Sequence, residues 1–184
     1  ENLPTPKWVE INSPDQAIKP LEDWNCMVVK PIDRSASAGV GKIENVGDID
    51  SAYENAINES VIGRVLIEEY INGPELSVET IFINGEHKVV SITDKITTEG
   101  NTFVELGHST PSGHSKEILE KVKELAIKAC TALNINYGAC HTEIKLTEKE
   151  PMIIEVNPRL AGDCIVDLID LSLGINLYRF YGKL

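Results

Sequence analysis

The segment HTEIKLTEKEPMIIEVN, His141 to Asn157, constrains this chain more than any other. Two runs of strand-like residues flank a polar stretch centred near Lys149, the pattern of an antiparallel hairpin. Opposed residues in such a hairpin keep a constant sum of their numbers, so Glu143 faces Glu155 and His141 faces Asn157. Alternate side chains share a face, which puts Glu155, Asn157 and Arg159 in one row. The other face reads Thr142, Ile144 and Leu146 against Met152, Ile154 and Val156, nearly all apolar. Like charges directly opposite each other repel, and a cation between them removes the penalty. Two carboxylates and an amide oxygen are hard donors suited to Mg2+ or Mn2+. A solvated sheet face also carries Glu and Lys, but it has no need of the Asn-Pro-Arg that continues the row.

Period-two alternation and turn residues give six expected strands: Met27–Lys30, Val65–Ile71, Leu76–Ile83, His87–Ile96, Gly138–Leu146 and Met152–Asn157. Asn84-Gly85 is a hairpin turn, since both residues tolerate positive φ. Ile118, Val122, Leu125, Ala126, Ala129 and Leu133 recur at helical spacing behind Ser115, a suitable N-cap. Asp48 is expected to cap a shorter helix carrying Ala52, Ala56 and Ile57 that ends at Gly63, and a third helix runs through Ile165–Leu173 to Gly174. Antiparallel strands mixed with helices define an α+β fold.

The 184 residues carry a net charge of −12 with a pI near 4.8, which excludes an electrostatic nucleic-acid or anionic-membrane binder. An anionic ligand must therefore be held by local groups. Cys26, Cys130, Cys140 and Cys164 lack CxxC spacing and fit reduced thiols in a cytoplasmic protein. No apolar run is long enough to span a bilayer. The opening ENLPTPKWVE reads as a chain entering a domain from something upstream.

The motif E-I-K…I-I-E-V-N-P-R resembles the C-terminal metal-binding signature of the ATP-grasp superfamily, and the likeness extends over almost the whole chain. The resemblance implies that Glu143, Glu155 and Asn157 hold the magnesium ions bridging ATP phosphates. It gives Arg159 the transferred phosphate or an acyl phosphate. VVKPIDRSASAGVGK is similar to the family's strand lysine and small-residue phosphate loop: Lys30 would touch the α/β phosphates, and Ser35, Ser37 and Gly39 would shape the flap. Ala36 and Ala38 depart from the Gly, Ser or Arg often found there. LIEEYINGPELSVE, Leu66 to Glu79, resembles the adenine hinge, with Glu68, Glu69, Tyr70 and Ile71 lining it. The Glu69 carbonyl and Ile71 amide would read N6 and N1, and Glu75 the ribose hydroxyls. FVELGHSTP is similar to a segment near the acceptor substrate, which suggests Glu105 and His108 as substrate contacts. His141 stands as an outer residue of the metal row or as a structural one.

The implied fold is α+β, two lobes clamping Mg-ATP, with residues 1–26 an entry segment from a missing N-terminal domain, 27–68 the small flap lobe and 69–184 the C-terminal lobe with the metal site. The implied activity is that of a carboxylate–amine ligase, closest in feel to L-amino-acid ligases, which forms an acyl phosphate and then an amide bond. Its partners would be small-molecule carboxylate and amine substrates and the upstream domain, with a homodimer left open. The alternatives are a nucleotide-binding module without turnover and a carboxylase-like ATP-grasp subunit.

Overall fold

Short runs of alternating burial account for the first sheet, in a computed structural model that describes residues 2–98 and 105–182. These residues form two compact units, one built on Pro6–Ile71 and the other on Asn72–Ile96 and 106–182 together with 2–5. The first contains β1 (Trp8–Ile11), α1 (Ile18–Trp24), β2 (Met27–Pro31), β3 (Gly41–Ile43), α2 (Ile49–Glu59) and β4 (Val65–Glu69). Its sheet is antiparallel in the order β1-β4-β2-β3. Met27, Val29, Ile43, Val65 and Ile67 point to one face and are buried under Leu21 of α1 and Ile49 and Ala56 of α2. Each such aliphatic side chain contributes about 1.5–3 kcal/mol on burial. β1, β3 and α1 were not anticipated, because segments of three to seven residues are too short to show a period. Both β1 and α1 lie within residues 1–26, read above as an entry segment.

α2 begins after Asp48 as expected, although the Asp48 side chain makes no capping bond. The helix stops at Ser60 rather than running to Gly63. The Asp33 carboxylate explains the early end. It accepts from Ser60 Oγ at 2.9 Å and from the amides of Val61 and Ile62 at 2.7 and 2.9 Å, drawing the chain out of the helix.

The second unit contains β5 (Glu75–Ile83), β6 (Glu86–Thr97), β7 (Glu105–Ser109), α3 (Lys116–Ala132), β8 (Ala139–Leu146), β9 (Pro151–Asn157), α4 (Ile165–Leu173) and α5 (Leu177–Tyr181), with sheet order β7-β6-β5-β8-β9. Asn84 and Gly85 turn β5 into β6 with φ of 53° and 84°, the left-handed pair that a tight hairpin needs. Ser115 caps α3, its hydroxyl accepting from the Ile118 amide at 3.4 Å. Val122, Leu125, Ala126 and Ala129 pack on Leu76, Val78, Ile144 and Ile153. α4 ends at Gly174, and with α5 it forms a separate cluster of Ile165, Val166, Ile169 and Leu177. Among the described residues no helix is long and apolar enough to cross a membrane.

The hairpin register is partly as expected. Glu143 pairs with Glu155, Thr142 with Val156 and His141 with Asn157, but a shift after Glu143 sets Ile144 opposite Ile153 and Leu146 opposite Pro151. The extra residue in β9 is a bulge, which flips the strand's facing. Ile153 rather than Ile154 is therefore the buried core residue. At the bulge the Ile153 amide donates to the Pro4 carbonyl at 2.9 Å.

Candidate functional site

The face of the five-stranded sheet opposite Leu76, Val78 and Ile144 is polar and largely buried. Register aligns it in rows: Lys95, Glu75 and Lys145; then Thr93, Ser77, Glu143 and Glu155; then Ser91, Glu79, His141 and Asn157. Lys95, 3% exposed at its side chain, stands 2.8 Å from Glu75 and 2.7 Å from Glu143. His141 Nε2 is 3.2 Å from Glu143 Oε1 and its Nδ1 is 2.6 Å from Glu79 Oε1. Burial alone would push the His141 imidazole down, but its hydrogen bonds to Glu143 and Glu79 outweigh that and raise it to about 9. Burial likewise works to raise the Glu143 carboxyl, and the His141 bond and the Lys95 charge hold it instead at about 2. The repulsion expected between Glu143 and Glu155 is thus answered from within the sheet. Lys95 and His141 balance Glu143, and Glu155 is exposed on the edge strand.

Of the remaining metal-row residues, Glu155 makes no hydrogen bond or ion pair among the described residues. Asn157 Nδ2 is buried without a partner there. An amide flip puts the oxygen in the same place, so the donor set fits a hard dication. Among the described residues no three His, Cys, Asp or Glu gather to hold an ion, and a cation here needs Asn157 and ligands from outside the protein. Arg159 is exposed and in no ion pair among the described residues, held by its amide's bond to the Asn157 carbonyl at 2.8 Å and by Nη1 on the Leu160 carbonyl at 3.0 Å. Just before Glu75, Gly73 sits at φ +142°, where an added Cβ would meet the Leu146 carbonyl oxygen at 1.9 Å. Glu105 and His108 are half-buried on β7. Three residues apart on a strand, they project to opposite faces, so the strand does not bring them together. Phe103 and Val104 of the same motif lie outside the described residues.

In the first unit, the sheet face away from the core carries Val28 and Lys30 of β2, Lys42 of β3 and Glu68 of β4, with Val28 in register with both Lys42 and Glu68. Lys30 is bound to Glu68 at 2.6 Å. The strand face thus supplies its charge with a carboxylate. Lys42 lies 2.8 Å from Glu44, with its ammonium 4.6 Å from the centre of the Tyr70 ring. At the end of β4 the amides alternate, Glu69 donating to Lys7 at 2.8 Å and Tyr70 to Cys26 at 3.1 Å. Ser35 and Ser37 are exposed on the loop after β2. Its Ala38 and Val40 amides are turned inward onto the Ser35 and Ser37 carbonyls, at 3.2 and 3.1 Å. Ala36, Ser37 and Gly39 have φ of 54°, 55° and 74°. Left-handed backbone at Ala and Ser is strain of the sort that collects at ligand loops.

A family model for the ATP-grasp domain matches residues 24–167. The chain belongs to the ATP-grasp family. It is 30% identical over 159 residues to a D-alanine–D-alanine ligase of Flavobacterium johnsoniae, covering 81% of this chain and 48% of that protein. It superposes on the L-amino acid ligase of Bacillus licheniformis with a TM-score of 0.80 at 26% identity, over 98% of this chain and 43% of the other. A biotin carboxylase of Campylobacter jejuni, crystallised with a β,γ-ATP ligand, shares the fold at a TM-score of 0.83 and 22% identity, over 98% and 42%. This chain spans about half the length of the first of these relatives.

Sequence reasoning missed four residues on the polar faces of this ATP-grasp chain: Lys42, Ser77, Glu79 and Lys95. ELSVE carries Glu75, Ser77 and Glu79 at period two, which was signal enough to place them on one face. Lys95 carries no local signal, because its partners Glu75 and Glu143 come from two other strands.

Proposed function

We propose that this chain binds ATP with Mg2+ or Mn2+ and belongs to a carboxylate–amine ligase that forms an acyl phosphate and then an amide bond. The observation that carries this reading is the register of β8 on β9, which aligns Glu143 with Glu155 and, among the described residues, leaves Asn157 with an unsatisfied buried amide atom. In this reading the bound dication supplies charge neutralisation to the phosphates. Glu143, Glu155 and Asn157 hold it, and the exposed guanidinium of Arg159 takes the charge that develops on the transferred phosphoryl group. Lys30 and Lys42 present compact positive charge from the first unit, and Ser35, Ser37 and Gly39 belong to the phosphate loop. The Glu69 carbonyl and the Ile71 amide read adenine, Tyr70 flanks it, and Glu75 accepts from the ribose hydroxyls. Of Glu105 and His108, which project to opposite faces of β7, one contacts the acceptor substrate.

Chemistry of this kind depends on positioning and electrostatics rather than a protein nucleophile, in agreement with faces built of charges. The relatives named as ligases support the reaction class. Calorimetry with Mg-ATP and Mg-GTP tests the nucleotide part: ATP should bind about 5- to 150-fold more tightly, since a mismatched buried backbone pair costs about 1–3 kcal/mol. Equal affinities would remove the hinge assignment. A screen of amino acids for ATP-dependent phosphate release tests the ligase part, and release unaffected by any amino acid or pair of amino acids would count against it.

A further inference from the structure

Glu79 of β5 stands directly opposite His141 of β8, and both are buried. The imidazole spans two carboxylates, with Nδ1 2.6 Å from Glu79 Oε1 and Nε2 3.2 Å from Glu143 Oε1. Ser77 Oγ donates to the same Glu79 oxygen at 2.6 Å and lies 2.9 Å from His141 Nδ1. The other oxygen, Glu79 Oε2, is buried with no hydrogen-bond partner among the described residues.

Fold stability does not account for this arrangement. A buried acceptor without a donor is costly, and well-packed apolar residues would hold β5 against β8 at least as well as buried charges do. The arrangement does lock a ring plane. An imidazole tied at Nδ1 cannot turn about its χ2 without breaking that contact, so its Nε2 stays directed at Glu143 Oε1. Lys95 reaches the same oxygen at 2.7 Å. Two fixed donors on one oxygen set the orientation of the whole carboxylate.

We propose that Glu79 is a positioning residue: acting through His141, it holds the Glu143 carboxylate in the orientation that receives the divalent cation. The inference rests on the metal-binding reading of Glu143, Glu155 and Asn157. Carboxylates that ligate metals are commonly held by such outer partners, whose loss weakens metal affinity about 10–100-fold.

The test is Mn2+ binding, followed by electron paramagnetic resonance, to the protein saturated with a non-hydrolysable ATP analogue. The wild type is compared with Glu79→Gln, Glu79→Leu and Glu155→Gln. Glu155→Gln should weaken Mn2+ binding at least tenfold, Glu79→Gln about tenfold and Glu79→Leu more, while the affinity for the analogue without metal stays within twofold in the two Glu79 variants. A graded loss, partly rescued by Gln relative to Leu, is not expected of a residue that only stabilises the fold. If Glu155→Gln loses Mn2+ affinity while both Glu79 variants keep it within twofold, Glu79 is structural and the positioning role is wrong. If Glu155→Gln has no effect, the metal reading falls and takes the proposal with it. Should Glu79→Leu fail to fold, Glu79→Gln, nearly isosteric, decides the matter alone.

Discussion

Lys95 Nζ lies 2.7 Å from Glu143 Oε1, three strands of one sheet supplying Lys95, Glu143 and the Glu75 that shares it. The pairing bears on the proposed metal site. Glu143 is already compensated, so a cation is not needed to relieve repulsion, and Glu155 is the carboxylate whose side chain has no partner among the described residues.

Glu155→Gln should therefore be nearly neutral without metal, within about 0.5 kcal/mol of the parent, as befits an exposed residue away from any network. It should lose most of the thermal stabilisation that Mg-ATP gives the parent, about 2.7 kcal/mol at a hundred times the dissociation constant. Melting curves with and without Mg-ATP measure both. A variant that keeps the full response would show that Glu155 is no ligand.

Lys30→Ala has two expected effects. On the proposed phosphate role it removes a positive charge beside the nucleotide, so Mg-ATP affinity should fall at least tenfold by calorimetry. It also strands Glu68, 16% exposed at its side chain, without its cation. That should lower stability by about 1 kcal/mol, the range of a partly exposed pair, visible in urea unfolding. Unchanged ATP affinity with reduced stability would leave Lys30 a structural partner of Glu68 alone.

His141 makes stability depend on pH in a defined window. Its folded pKa of about 9 lies above the ordinary 6.5. The folded state therefore holds the extra proton, and the contribution is full below about 6.5 and lost as pH rises through about 9. Glu143, held at about 2 against an ordinary 4.5, contributes above 4.5 and loses that contribution as pH falls through about 2. Metal-free protein should lose on the order of 1–3 kcal/mol between pH 6.5 and 9 from this source. A pH series of denaturant unfolding on wild type and His141→Gln separates the contribution, and parallel curves for the two proteins over that range would refute it.

Gly73→Ala should cost about 2 kcal/mol or more, because the new Cβ meets the Leu146 carbonyl oxygen at 1.9 Å and the backbone there has φ +142°. For a chain of this size that corresponds to a melting temperature lower by several degrees. The turn delivers Glu75 to the sheet, so nucleotide affinity is expected to fall as well. A variant with parental melting temperature would mean that the 73–74 turn shifts freely.

The sequence by itself determined the pairing of Glu143 with Glu155 and of His141 with Asn157, because period two and a short polar turn leave one register that keeps Val156 on the core side. It determined the Asn84-Gly85 turn, the Ser115 cap and the span of α4 for the same kind of reason, local chemistry acting over a few residues. It also carried the ATP-grasp motifs in order, and with them the family. Tertiary structure alone decided the bulge that buries Ile153 instead of Ile154, since an extra residue in one strand leaves no mark on local alternation. It decided where α2 ends, through an Asp33 carboxylate some 27 residues upstream. Above all it decided the ion pairing of the candidate site. Lys30 meets Glu68, Lys95 meets Glu75 and Glu143, and His141 meets Glu79, pairs whose members are 20 to 62 residues apart in sequence; burial together with a partner, neither of which local spacing encodes, sets the energy of each group.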